Sequence, residues 1–72
     1  SLRDFPDLLI GTADYERAAT YYNHCRGRGI QGSNTDFLIC AVASRREMAI
    51  FTTDKDFGKF AEILEITLHL VR

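Results

Sequence analysis

Apolar positions along the chain keep three different rhythms. After Thr12, the residues Tyr15, Ala18, Ala19 and Tyr22 recur at i, i+3, i+4 and i+7, and Cys25 extends the series. Side chains at those spacings share one face of a helix, so the segment reads as an amphipathic helix with Asp14, Glu16 and Arg17 turned outward. Thr12 is the expected N-cap, and Gly27 and Gly29 stop the helix. The run from Phe37 to Ala43 is apolar on every side, which predicts a helix buried on more than one face. Ser33-Asn34-Thr35-Asp36 before it has the form of a capping box, with Asp in place of the usual Glu or Gln. Met48 to Thr52 is a compact apolar stretch of strand length and reads as a buried strand. A short helix then opens near Asp56, with Phe57, Phe60, Ala61 and Leu64 inward. The rhythm finally changes to strict alternation: Ile66, Leu68 and Leu70 on one face, Thr67 and His69 on the other. That is a strand over 65–71.

The predicted order is helix, helix, strand, short helix, strand. A strand–helix–strand unit implies parallel pairing through a right-handed crossover, so the fold class is α/β. Two strands, or three if residues 8–10 form one, make a thin sheet for a buried parallel arrangement. The apolar helix at 36–45 needs more cover than 72 residues offer. The expectation is a single domain fragment over 1–72, completed by another segment of a parent protein or by a second copy.

Composition narrows the function classes. The chain is 46% hydrophobic and 26% charged, which fits a folded piece and not a disordered one. Nine basic and ten acidic residues give a net charge of −1, so no bulk charge draws nucleic acid or membrane. A polyanion would need a local basic patch or bridging metal ions. Cys25 and Cys40 have no CxxC spacing, and neither His24 nor His69 completes a zinc quartet. They read as buried apolar thiols suited to a reducing cytoplasm. The longest apolar run, Phe37 to Ala43, is far short of the roughly 20 residues of a membrane span.

Three carboxylates carry the candidate chemistry. Asp36 lies in the first turn of the apolar helix, Asp54 just past the end of a strand, and Asp56 two residues later at a helix start. Ligands of open α/β sheets collect beyond the carboxyl ends of strands. A helix antiparallel to the strand brings its own N-terminus, and Asp36, to that rim. Converging carboxylates repel unless a cation neutralises them, and hard oxygen donors select Mg²⁺ or Mn²⁺. Such ions bind phosphates and activate water for phosphodiester cleavage. The same residues also suit plain structural work: Asp36 as a cap, Asp54 and Asp56 as turn and N-cap residues. The residue pattern alone leaves both open.

A family resemblance bears on that choice. The stretch from Asp14-Tyr15-Glu16-Arg17-Ala18-Ala19 to Cys25-Arg26-Gly27-Arg28-Gly29-Ile30 resembles the helix and Arg-x-x-Gly-Ile turn of VapC-like PIN domains. Ser33-Asn34-Thr35-Asp36-Phe37-Leu38-Ile39-Cys40-Ala41-Val42-Ala43 is similar to the signature S-x-x-D-x-x-I-A-A-x-A, with Cys40 in place of Ala. Phe51-Thr52-Thr53-Asp54-Lys55-Asp56-Phe57 is similar to T-x-D-x-D-F. The likeness covers about residues 12–70. It implies the C-terminal half of a PIN-like domain, a partial parallel sheet flanked by helices, with the N-terminal half missing. It further implies part of a Mg²⁺- or Mn²⁺-dependent endoribonuclease, the toxin of a toxin–antitoxin pair. By that resemblance Asp36 and Asp54 ligate the metal and Asp56 assists. Thr52 positions the acidic turn, and Ser33 caps the helix. RNA is the implied substrate, a small antitoxin protein the implied partner, and a homodimer the implied assembly.

The family's first strand carries an Asp and an early helix a Glu. Here Asp4 and Asp7 do not follow a hydrophobic strand. The expected outcome is therefore a weak or inactive nuclease as this isolated chain. Lys55, Arg26 and Arg28 are the basic residues placed to meet RNA phosphates, with Arg45, Arg46 and Lys59 as further surface cations. Tyr15, Tyr21 and Tyr22 are placed to stack bases or to pack in the core. The rival reading is a non-catalytic interaction module that dimerises through exposed apolar faces.

Overall fold

The computed structural model describes residues 9–70. They form three helices and a two-stranded parallel sheet: α1 (Thr12–Gly27), α2 (Asn34–Arg45), β1 (Ala49–Thr52), α3 (Asp56–Ala61) and β2 (Thr67–Leu70). The α/β class and the element order are those expected from the pattern. Residues 9 and 10 lie outside any strand, and Leu8 and Val71 fall outside the described residues. β1 and β2 pair in register, Ala49 with Thr67 through Thr52 with Leu70, with α3 as the crossover.

α1 differs from its predicted face in an instructive way. Its N-cap is Gly11, one residue before Thr12. Asp14 was expected outward but is only 1% exposed, whereas Tyr15 is 58% exposed and Ala19 is also open to solvent. The stripe that faces the core is Asp14, Ala18, Tyr21 or Tyr22, and Cys25, spaced i, i+4, i+7 or i+8, and i+11. A carboxylate heads this otherwise apolar stripe, and pattern reading rotates the helix away from it. The burial is satisfied electrostatically. Arg45 Nε donates to Asp14 Oδ1 at 2.6 Å and Arg45 Nη2 to Oδ2 at 3.0 Å, a bidentate pair from the last turn of α2. The same Nη2 donates to the Leu9 carbonyl at 3.0 Å, and the Gly11 amide donates to Asp14 Oδ2 at 3.0 Å. One guanidinium thus ties the start of α1, the chain before it and the end of α2. Arg45 is committed to this clamp and is not a spare surface cation.

Both long helices end the same way. After α1 the Ile30 amide donates to the Cys25 carbonyl at 2.8 Å and the Gly29 amide to Arg26 at 3.0 Å. After α2 the Met48 amide donates to Ala43 at 2.8 Å and the Glu47 amide to Ser44 at 3.2 Å. These paired bonds define the Schellman ending, which places one residue in the left-handed region. In α1 that residue is Gly29, with φ 75°. In α2 it is Glu47, with φ 54°, where a side chain makes the conformation costly.

The core forms where α2 meets α1, α3 and the sheet. Phe37, Leu38, Cys40, Ala41, Val42 and Ala43 are all buried, and all but Val42 join one core cluster with residues of the other elements. Phe37 stands between Tyr22 and Phe60, and Phe60 also meets Phe57 edge-on. Gly32 lets the chain cross this cluster: a Cβ there would come within 2.5 Å of the Phe60 ring. Cys25 and Cys40 are fully buried, and burial pushes the Cys40 thiol up to about 12, helped by the negative charge of Asp36 and by Cys25. β1 is less buried than its apolar composition predicts. Ile50 is buried, but Phe51 is 70% exposed and Met48 lies outside the strand. Phe51 stacks on His69 across the outer face of the sheet, ring centroids 4.9 Å apart.

Candidate functional site

β1 ends at Thr52, and the chain turns at once into α3. The turn is held by its own side chains. The Asp54 amide donates to Thr52 Oγ1 at 3.0 Å, and the Asp56 amide donates to Asp54 Oδ1 at 2.9 Å. Backbone bonds from Phe57 to Asp54 and from Gly58 to Lys55 complete the first turn of α3. Asp54 thereby does the capping, because an aspartate side chain readily bonds the backbone amide two residues on. Thr52 braces the turn through its hydroxyl. Lys55 and Asp56 are exposed on the same turn.

Asp36 sits at the third position of α2. The Asp36 amide donates to Ser33 Oγ at 3.0 Å, and the Ser33 amide donates back to Asp36 Oδ2 at 3.1 Å. This is the reciprocal capping box that satisfies two helix-end donors at once. Ser33 therefore caps the helix, and Asp36 does part of that capping itself.

Only three residues, 46–48, join α2 to β1, and the two elements pack together. So short a link favours an antiparallel return, which would carry the Ser33–Asp36 cap toward the end of the sheet at which β1 stops. It does not gather all three acids: among the described residues no group of three or more His, Cys, Asp or Glu side chains is placed to hold a metal ion. The candidates fall into two groups, Ser33 with Asp36 and Thr52 with Asp54 and Asp56. Asp36 and Asp54 each use one oxygen for the local cap. Among the described residues no donor reaches the second oxygen of Asp36 or of Asp54.

No match to this chain is found among protein-family models, curated proteins or solved structures.

The remaining candidates sit apart from the acids in sequence. Arg26 lies in the last turn of α1 and Arg28 caps it, both exposed. Asp4 and Asp7 fall outside the described residues. Among the described residues no helix is long and apolar enough to cross a membrane. Sequence reasoning missed one polar centre, the Asp14–Arg45 clamp. Its signal was present but faint: Asp14 stands three residues after Gly11, as Asp36 stands three after Ser33. The Arg45 guanidinium donating to it holds the Asp14 carboxyl below the usual range, against an opposing effect of burial.

Proposed function

We propose that this chain supplies part of a Mg²⁺- or Mn²⁺-dependent endoribonuclease site of the PIN type, the toxin of a toxin–antitoxin pair. Asp36 and Asp54 are the metal ligands, and Asp56 assists. The observation that supports this reading is two separately braced aspartates, Asp36 in the first turn of α2 and Asp54 just past the end of β1, each with one oxygen that no donor among the described residues reaches. Carboxylate oxygens are the hard donors that Mg²⁺ and Mn²⁺ prefer, so the donor set fits the ion. An ion bound there would supply charge for the phosphate and activation of the attacking water. The chain's own part is to hold the two acids in place. Thr52 fixes the height of the Asp54 turn, and Ser33 fixes Asp36. Lys55, with Arg26 and Arg28 beyond it, offers positive charge to RNA phosphates.

Two acids without a third hold a hydrated divalent ion weakly, so this chain alone is a poor nuclease or none. Melting the protein with and without Mn²⁺ tests the reading. The ion raises Tm for the wild type and leaves Asp36→Asn and Asp54→Asn unmoved, because only a ligand that binds the folded state stabilises it. A melting curve indifferent to Mn²⁺ and Mg²⁺ contradicts it, as does robust RNA cleavage that persists in EDTA.

The second reading is a non-catalytic module that dimerises through its apolar surface, with the antitoxin or a second copy as partner. The observation favouring it is the outer sheet face, where Phe51 is 70% exposed above a two-stranded sheet. A module of that kind shows no metal-dependent Tm, but its Tm rises with protein concentration.

A further inference from the structure

We propose that the groove between α1 and α2 is a slot for single-stranded nucleic acid, which takes a base at Tyr15 and Tyr22 and the adjoining phosphate at Arg26. The inference shares Arg26 and a nucleic-acid ligand with the ribonuclease reading but uses neither Asp36 nor Asp54, so it can fail or hold apart from the metal site. The recess has a volume of about 520 Å³ and runs between the outer side of α1 and the first turns of α2. That lies within the roughly 300–1,000 Å³ of ordinary ligand pockets. Its shape follows from the sequence of α1. Tyr15 and Tyr22 stand two turns apart, about 10 Å along the axis, and Ala18 and Ala19 between them leave a low floor. A planar ring lying on that floor meets an aromatic side chain at either end.

The two tyrosines differ in a useful way. Tyr22 is half-buried and fixed edge-on against Phe37, ring centroids 5.7 Å apart, so it is ordered before anything binds. Tyr15 is 58% exposed, an aromatic left in water beside a recess it partly lines. Leu38 closes the apolar wall, while Asn23 and Asn34 stand at the edges. Each carboxamide carries both donors and an acceptor, which suits the edge of a base and would be wasted on a hydrocarbon. Among the described residues no charged side chain lines this recess. Tyr22 also walls a neighbouring recess of about 390 Å³, which Arg26 and Gln31 line. Arg26 is exposed, and among the described residues no carboxylate pairs with it. A neutral aromatic slot next to a cationic one matches a base joined to a phosphate. A purely apolar peptide would leave both carboxamides and the guanidinium without work.

The test is a titration of ¹⁵N-labelled full chain with the hexanucleotide rA6 in EDTA at low salt, conditions in which the carboxylate site contributes nothing. The expected shifts fall on residues of the slot, Tyr15, Ala18, Tyr22, Asn34 and Leu38. Tyr15→Ala, at an exposed position that leaves the dispersed spectrum intact, weakens binding about tenfold, within the range for loss of one stacking partner. Arg26→Gln weakens it as well and lowers the salt dependence by about 0.7 in log–log slope, one phosphate contact to a single strand. An abasic hexamer with the same phosphates binds at least as poorly as rA6 binds to Tyr15→Ala. Equal affinity for the abasic strand, shifts confined to other surfaces, or no binding at millimolar rA6 would each overturn the proposal. So would a hydrophobic peptide that fills the slot while rA6 leaves it untouched.

Discussion

Asp14 and Asp36 begin their helices identically and end up in opposite conditions. Each is the third residue of its helix, and each accepts a hydrogen bond from the amide of the N-cap residue, Gly11 at 3.0 Å and Ser33 at 3.1 Å. Asp14 then disappears beneath Arg45, which takes up both its oxygens. Asp36 stays half-exposed, with one oxygen that no described residue engages. The aspartate's half of the motif is the same, although Ser33 adds a hydroxyl acceptor that Gly11 lacks, so the difference in burial comes from what lies across from it. At α1 the end of α2 supplies a guanidinium, and the aspartate becomes part of the fold. At α2 no cation among the described residues arrives, and one oxygen of the aspartate is left without a donor among them. A carboxylate that is fully paired is spent on stability; one that is half-paired is available for chemistry.

The largest test of this contrast is Asp14→Ala. It strips Arg45 of its partner and leaves the Gly11 amide unbonded. The expected loss is about 2 kcal/mol, below the cost of breaking a fully buried pair because Arg45 still reaches water. Urea denaturation measures it. Asp14→Asn sharpens the same point through pH. The paired Asp14 carboxyl is held below its ordinary value by the Arg45 hydrogen bond. A depressed carboxyl contributes fully above the unfolded-state value, near 3.8, and the contribution is lost as pH falls through the lower folded value. The wild type therefore loses stability in that acid window, and Asp14→Asn lacks that part of the loss. Equal acid limbs in the two proteins would show that the clamp contributes nothing.

Smaller effects follow at the caps. Ser33→Ala removes the acceptor of the Asp36 amide and costs about 1 kcal/mol, again by denaturation. Glu47→Gly works in the other direction. It relieves the left-handed strain at the end of α2 and raises stability by up to about 1 kcal/mol, read as a rise in Tm of a few degrees. Asp36→Asn changes stability least, by a few tenths of a kcal/mol, because the amide oxygen still accepts the Ser33 bond. If Asp36→Asn were as damaging as Asp14→Ala, the two aspartates would not differ in the way described.

Much of the fold was legible in the residues. The apolar run Phe37 to Ala43 announced a buried helix, the alternation after Glu65 announced a strand, and Ser33-x-x-Asp36 announced a cap. Each signal is local, and local chemistry suffices to produce it. The failures were tertiary. Asp14 looked outward because nothing near it in sequence says that Arg45, thirty-one residues away, will cover it. Phe51 looked buried because apolar composition predicts a covered strand, whereas among the described residues β1 has one partner strand and Phe51 lies on an exposed face. The braced turn at Thr52, Asp54 and Asp56 was legible for the same reason as the Ser33 cap. Whether Asp36 and Asp54, 18 residues apart, act together depends on how α2 returns to β1, which no local signal fixes.

The central claim is that Asp36 and Asp54 serve one ion from two separate braces. Paramagnetic broadening by substoichiometric Mn²⁺ in the ¹⁵N spectrum tests it most directly. The account predicts that amides around Ser33–Asp36 and around Thr52–Asp56 broaden together and that Asp36→Asn abolishes both effects. Broadening confined to the Asp54 turn and unchanged in Asp36→Asn, or no selective broadening at either place, would contradict it.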